Sequence, residues 1–142
     1  MTIPSKARKG LTMTSAEVAW SFYNAIESGE IPTGLALIAP DCAWTEMEGW
    51  PYPGTFHGPD AILEGVFARL GAEWDGFAMT VDEVLDSGDR AVGIGTYSGV
   101  FKATGRPMKA RVTHVFRVRD GQIVEFEQFT DTLAVATATG ER

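Results

Sequence analysis

The stretch MKARVTHVFRVRDGQIVEFEQFT, residues 108–130, alternates apolar and polar side chains on either side of Arg119-Asp120-Gly121. Alternation with a period of two marks strands that bury one face, and the Asp-Gly pair marks the turn of a hairpin. Two registers suit that turn. With Asp120-Gly121 as a two-residue loop, His114 faces Glu127 and Phe116 faces Glu125, which places two carboxylates among Val112, Phe116 and Val118. With Arg119-Asp120-Gly121 as a three-residue loop closed by a left-handed Gly121, His114 pairs with Phe126, Phe116 with Val124 and Val112 with Gln128. The second register keeps charge out of the core and is the better one. It sets an inner face of Val112, His114, Phe116, Val118, Val124, Phe126 and Gln128, and an outer face with Arg111, Arg117, Glu125 and Glu127.

Working outward, further runs at strand spacing cover Phe77 to Leu85 and Ala91 to Lys102, separated by Ser87-Gly88-Asp89 and by Ala103-Thr104-Gly105-Arg106-Pro107. The first half reads differently. Thr14 or Ser15 caps a helix with Glu17 near its positive end, carrying Val18, Ala19, Phe22, Ala25 and Ile26 at helical spacing until Gly29. A second short helix is expected from about Thr33 to Ala39, before Pro40. From Asp41 to Met47 a short strand puts Cys42, Trp44 and Glu46 on one face, and Trp50-Pro51-Tyr52-Pro53-Gly54 forms an irregular loop. Pro59 starts a third helix with Ile62, Leu63, Val66, Phe67 and Leu70 as its buried stripe, closed by Gly71. Helices first and an antiparallel meander second define an α+β domain.

The chain has 142 residues, 44% of them hydrophobic and 11% aromatic, which suits one domain with a real core. That domain spans 14–133, with loose, flexible tails over 1–13 and 134–142. Nineteen acidic against 12 basic residues give a formal charge of -7, which argues against nucleic acid or an anionic membrane as partner. Six of the bases lie between Lys102 and Arg119, where Lys109, Arg111, Arg117 and Arg119 share the outward parity and neighbour the outward glutamates. A single cysteine, Cys42, fits a reducing cytoplasm, and neither a signal peptide nor a membrane span is legible.

Among polar residues, His114 is the most informative, an imidazole on the apolar face of a central strand. Glu46 shares a face with Trp44, and burial of a carboxylate raises its proton affinity towards that of a general base. Trp20, Trp44, Trp50, Tyr52 and Phe126 are candidates to line a cavity or to fill the core. Glu48 and His57 read as surface residues. Two histidines without metal-ligand spacing support no metal site. Gly93, Gly95 and Gly99 lie in a strand rather than in a phosphate loop, which points to strand bending or close packing.

Several stretches resemble the nuclear transport factor 2-like superfamily: Phe22-Tyr23-Asn24-Ala25-Ile26-Glu27-Ser28-Gly29, Ala36-Leu37-Ile38-Ala39-Pro40-Asp41-Cys42-Ala43-Trp44 and Phe56-His57-Gly58-Pro59-Asp60-Ala61-Ile62. The ending Val115-Phe116-Arg117-Val118-Arg119-Asp120-Gly121-Gln122-Ile123-Val124, with Phe129-Thr130-Asp131-Thr132, is similar to its SnoaL-like branch. The resemblance implies a cone-shaped barrel, in which a curved, mainly antiparallel sheet wraps around three helices from the N-terminal half. It also implies a deep pocket for a small apolar organic molecule and a homodimer through the sheet's outer face.

Compared with ketosteroid isomerases, Glu46 is similar in position to the carboxylate that moves the proton. His114 falls where they have an oxyanion-holding aspartic acid, and Phe22 where they have a tyrosine. Tyr23 is expected to point elsewhere, about 100° round the helix. Compared with limonene epoxide hydrolase, Asp131 matches the water-activating aspartate, while Ser98 and Val100 replace the other charged groups. In SnoaL-like polyketide cyclases an aspartate near this position is the acid or base.

The expected site therefore holds Glu46, His114 and Asp131 as catalytic residues, although strand parity puts Asp131 on the outer face unless the strand bulges or ends before it. Trp20, Phe22, Trp44, Trp50, Tyr52, Val112, Phe116, Phe126 and Gln128 are the expected ligand contacts. No cofactor is expected. The implied function is cofactor-independent acid–base chemistry of isomerase, cyclase or hydratase/hydrolase type on an apolar polycyclic or terpenoid-like substrate; the alternative is a ligand-binding or dimerisation module without chemistry.

Overall fold

The computed structural model describes residues 13–141. In chain order it contains α1 (Ser15–Glu27), α2 (Ile31–Leu35), β1 (Ile38–Glu46), β2 (Gly54–His57) and α3 (Gly58–Ile62). A π-helical turn (Leu63–Phe67) follows, then α4 (Ala68–Glu73), β3 (Trp74–Ser87), β4 (Arg90–Phe101), β5 (Arg106–Arg119), β6 (Gln122–Thr130) and α5 (Thr132–Thr139). The strands form one sheet in the order β2-β1-β6-β5-β4-β3. All pairings are antiparallel except that of β1 with β6, which is parallel. This is the expected α+β arrangement, with the sheet curved around the helices of the first half.

A capping box starts α1: the Thr14 hydroxyl accepts from the Glu17 backbone N–H at 3.1 Å, and the Glu17 carboxylate accepts from the Thr14 N–H at 2.8 Å. Its buried face carries Val18, Ala19, Phe22, Tyr23 and Ala25. The second helix is shorter than its apolar residues suggest. Ile38 and Ala39, read as its last turn, are instead the buried start of β1, because the Ile123 N–H bonds to the Leu37 carbonyl at 2.8 Å and draws the segment alongside β6. Pro40, which has no N–H to offer, falls where that ladder shifts register.

The third helix runs longer than expected, from Gly58 to Glu73, and widens into the π turn midway. Gly54 to His57, read as the end of a loop and a helix start, pairs with the edge of β1 as β2.

The β5–β6 hairpin has the turn of the first anticipated register and the inward-facing Phe126 and Gln128 of the second, but the pairs anticipated for Val112, His114 and Phe116 do not form in either version. Asp120 and Gly121 both have positive φ, 52° and 76°, so the turn is the tight two-residue one, with Arg119 opposite Gln122. The ladder then slips by one residue, from Val118↔Ile123 to Arg117↔Glu125, leaving Val124 as a bulge. The slip restores the inward parity of Phe126 and Gln128 and puts them opposite Phe116 and His114. Ile123, not Val124, is the fully buried residue near the turn.

On the outer face Arg117 bonds Glu125 and Asp89, each at 2.7 Å, while Arg111 reaches Asp82 on β3 at 2.7 Å. These exposed pairs contribute little to stability and account for part of the basic cluster as sheet decoration.

The segment 134–142, read as a loose tail, is helical as far as Thr139. Asp131 caps α5 by accepting from the Ala134 N–H at 3.1 Å, and Gly140 closes it with φ 90°. Val135 and Ala138 are buried, and the Thr104 hydroxyl and Arg106 guanidinium donate to the carbonyls of Ala138 and Thr137 at 2.6 and 2.8 Å. The tail expected over 1–13 lies outside the described residues except for Met13, which precedes the capping box and is exposed.

Candidate active site

Between α1, the α3–α4 segment and the inner faces of β1 and β3–β6 lies a cavity of about 420 Å³. Its walls are largely aromatic and aliphatic, and Trp20, 38% exposed on α1, marks its mouth. The polar groups in its wall include Glu46, Tyr23, Tyr97 and His114, contributed by β1, α1, β4 and β5.

Glu46 is delivered by the alternation of β1, whose buried positions Cys42, Trp44 and Glu46 share one face as expected. Trp44 is fixed by stacking on Phe126, 3.6 Å between centroids and 10° between planes, and its indole N–H donates to Glu46 Oε2 at 3.1 Å. Burial pushes the Glu46 carboxyl from 4.5 up to about 8, an effect partly opposed by the Trp44 N–H. Trp50 adds to that opposition by proximity, although its buried Nε1–H reaches no acceptor in hydrogen-bonding geometry.

His114 is buried as expected, but both its ring nitrogens are committed. Nδ1 shares a hydrogen bond with the Tyr23 hydroxyl at 2.8 Å, and Nε2 shares one with the Tyr97 hydroxyl at 2.7 Å. Gln128, fully buried, donates from its amide to the Tyr97 oxygen at 2.8 Å. Burial drives the imidazole down to about 3, so it is neutral near pH 7. Burial likewise raises both phenols far above their ordinary value.

Tyr23 corrects the sequence reading: it turns inward beside Phe22 and touches His114. The glycines of β4 explain how it fits. A Cβ on Gly93 would lie 2.8 Å from Tyr23 Cζ and closer still to the hydroxyl oxygen, so the missing side chain makes room for the phenol.

Of the expected contacts, Trp20, Phe22, Trp44 and Phe126 line the cavity. Phe116 packs behind them in the same core. Trp50, Tyr52 and Val112 belong to a second apolar cluster, in which Tyr52 accepts from Trp74 Nε1 and donates to Glu73, both at 2.9 Å. Gln128 acts through Tyr97. Asp131 does not join Glu46 and His114: it is exposed at the cap of α5, beside a shallow outer-face depression that also includes Arg111 and Phe129. Glu48 and His57 are exposed, as expected. Among the described residues no cluster of three or more His, Cys, Asp or Glu is placed to hold a metal ion. Among them, too, no helix is long and apolar enough to cross a membrane.

A polar trio and a buried carboxyl in the wall of a largely apolar cavity, between helices and a six-stranded sheet, make up an NTF2-like fold, and comparison with known proteins agrees on the fold. The chain belongs to the SnoaL-like domain family, whose profile matches residues 20–126. It is similar to an NTF2-like protein from Burkholderia thailandensis, with 45% identity over 89% of this chain and 98% of that one, at a TM-score of 0.87. It is also similar to IdmH, a candidate polyketide cyclase from Streptomyces antibioticus, with 27% identity over 90% and 99% of the two chains and a TM-score of 0.75. TerC, crystallised with polyporic acid, shares 25% identity over 89% and 98%, at a TM-score of 0.79. No match to a curated protein was found.

Proposed function

We propose that the protein is a cofactor-independent acid–base enzyme acting on an apolar polycyclic or terpenoid-like carbonyl compound, by isomerisation, cyclisation or hydration. The observation that carries this reading is the Glu46 carboxyl, 4% exposed yet part of the cavity wall, with a proton affinity raised into the working range of a general base. Glu46 removes a proton next to the substrate carbonyl. A phenol of the Tyr23–His114–Tyr97 trio donates to the oxygen on which negative charge develops, and His114 acts as a positioning residue between the two phenols. Asp131 has no part in this scheme. The relatives lend support: IdmH is a candidate cyclase, and TerC was crystallised with a small organic molecule. The reading includes a homodimer through the outer sheet face, where Leu85 and Phe129 are exposed at 47% and 43%.

The test is deuterium exchange next to the carbonyl of a panel of apolar cyclic ketones in heavy water, followed by proton magnetic resonance. The Glu46→Gln variant should lose about a hundred- to ten-thousand-fold in rate. Because the base is the anion of a group titrating at about 8, kcat/KM should rise with pH and level off above that value. Full activity in Glu46→Gln, or a rate that falls as pH rises towards 8, would remove Glu46 as the base.

A second reading, a ligand-binding module without chemistry, is favoured by one observation, the tying of both His114 nitrogens to phenols. It predicts that a ketone quenches the cavity tryptophans equally in the parent and in Glu46→Gln, with no exchange by either.

A further inference from the structure

A neutral imidazole carries one hydrogen and each phenol carries one, so Tyr23, His114 and Tyr97 hold three hydrogens for the two hydrogen bonds that join them. The chain can run in either direction. If Tyr97 donates to Nε2, then Nδ1–H donates to Tyr23, and the Tyr23 hydrogen is left over. If Tyr23 donates to Nδ1, then Nε2–H donates to Tyr97, and the Tyr97 hydrogen is left over. With its amide nitrogen on the Tyr97 oxygen at 2.8 Å, Gln128 does not absorb the surplus; its buried Oε1 has no partner in that orientation, and only the reversed amide would take the Tyr97 hydrogen. In each arrangement the phenol that does not hold the spare hydrogen keeps an oxygen lone pair. Both phenols line the cavity, and the rest of its wall is mainly apolar.

We propose that the trio presents the ligand with one hydrogen-bond donor and one acceptor, at opposite ends of His114, and that the site therefore selects an apolar molecule bearing a carbonyl oxygen and, across its ring system, a hydroxyl group. This rests on the cavity assigned above as the active site and narrows its substrate class to hydroxy-ketones. The ligand's carbonyl takes the spare phenolic hydrogen, and its hydroxyl donates to the other phenol. A ligand with two acceptors leaves one of them facing a lone pair in a largely apolar pocket, the costly arrangement. The tautomer of His114 follows the orientation in which the ligand binds.

Four probes of one shape separate the contributions: tetralin, α-tetralone, an α-tetralone with a phenolic hydroxyl on the far ring, and the methyl ether of that compound. Affinities are read by tryptophan quenching and calorimetry. The hydroxy-ketone should bind about tenfold more tightly than its methyl ether, and α-tetralone about tenfold more tightly than tetralin. Tyr23→Phe leaves the Tyr97 hydrogen free to meet a ketone but takes the phenolic oxygen away and strands Nδ1 deeper in the wall as a lone acceptor, so it should retain the tetralone preference and weaken the hydroxyl preference. Nitrogen magnetic resonance of His114 should show a neutral ring whose tautomer ratio moves on adding the hydroxy-ketone. Equal binding of the hydroxy-ketone and its ether would overturn the proposal. So would a doubly protonated imidazole at neutral pH, or no gain of α-tetralone over tetralin, the result expected if the Gln128 amide is reversed and takes the Tyr97 hydrogen. All of these are equilibrium measurements on the parent protein that need no turnover, so they fail independently of the assignment of Glu46 as base.

Discussion

Replacing Gly93 with alanine sets two effects of opposite sign against each other. On intrinsic grounds the change should help, because glycine within a strand costs about 0.5–1 kcal/mol relative to alanine. Geometry says otherwise. Gly93 faces inward on β4, held between Val84 of β3 and His114 of β5, so its backbone has little room to withdraw. The new methyl would stand 2.8 Å from Tyr23 Cζ and 2.9 Å from Cε2, well inside carbon–carbon contact. Tyr23 must move away, at an overpacking cost of about 1–3 kcal/mol. Its 2.8 Å bond to His114 Nδ1 is then lost, leaving a buried nitrogen unpaired at a further cost of about 1–3 kcal/mol. The net expectation is a destabilisation of roughly 1–5 kcal/mol, visible as a lower urea midpoint with unchanged slope. In a Tyr23→Leu background, where nothing reaches the strand, Gly93→Ala should return to about neutral or slightly stabilising, giving a coupling of at least about 1 kcal/mol in the double-mutant cycle. If Gly93→Ala instead stabilises the parent protein, the phenol is not seated against β4 and the trio built on it falls.

Stability should be nearly flat in pH over a window set by two neutral buried groups. His114 falls from 6.5 to about 3 on folding, so stability is lost as pH drops below 6.5, and Glu46 rises from 4.5 to about 8, so stability is lost as pH climbs from 4.5 to 8. Each contributes a slope of about 1.4 kcal/mol per pH unit, with cancellation between 4.5 and 6.5; urea melts should show the alkaline slope shrink in Glu46→Gln, and its persistence there would assign it to another group. Asp131→Ala should cost about 1 kcal/mol by uncapping α5 while leaving ketone affinity and exchange rate within twofold of the parent; a large loss of rate with stability unchanged would return Asp131 to the chemistry.

Binary patterning made the sheet legible, because each of β3 to β6 alternates a more buried with a more exposed face and each turn between them carries glycine, Gly88, Gly105 or Gly121. The same reasoning failed where a long-range pairing outweighed local preference. Ile38-Ala39-Pro40 reads as the end of a helix, and only the approach of Ile123 makes it a strand. The residues 132–139 are mostly Thr, Ala and Val without an apolar stripe, so periodicity does not mark a helix and only the caps Asp131 and Gly140 do; Asp131, Thr104 and Arg106 hold it in place by its ends.

The site separates in the same way. Glu46 and His114 were legible because parity alone says whether a side chain faces in or out. Which partner a buried polar group meets depends on contacts between distant residues, 91 positions apart for Tyr23 and His114 and 17 for Tyr97 and His114. One signal was nonetheless present. Ala91, Gly93, Gly95 and Tyr97 share the inward parity of β4, and a glycine on the buried face of a strand clears space: at Gly95 the Thr80 backbone of β3 takes it, and at Gly93 a large side chain does. With Gly93 opposite His114, the body that fills that space must lie over the imidazole, and the neighbouring helix carries Tyr23 on its buried face. The glycine gap thus marks the phenol, and burial keeps the imidazole between the two phenols neutral. Neutrality fixes the hydrogen count, and the count leaves the trio one donor and one acceptor to offer the ligand.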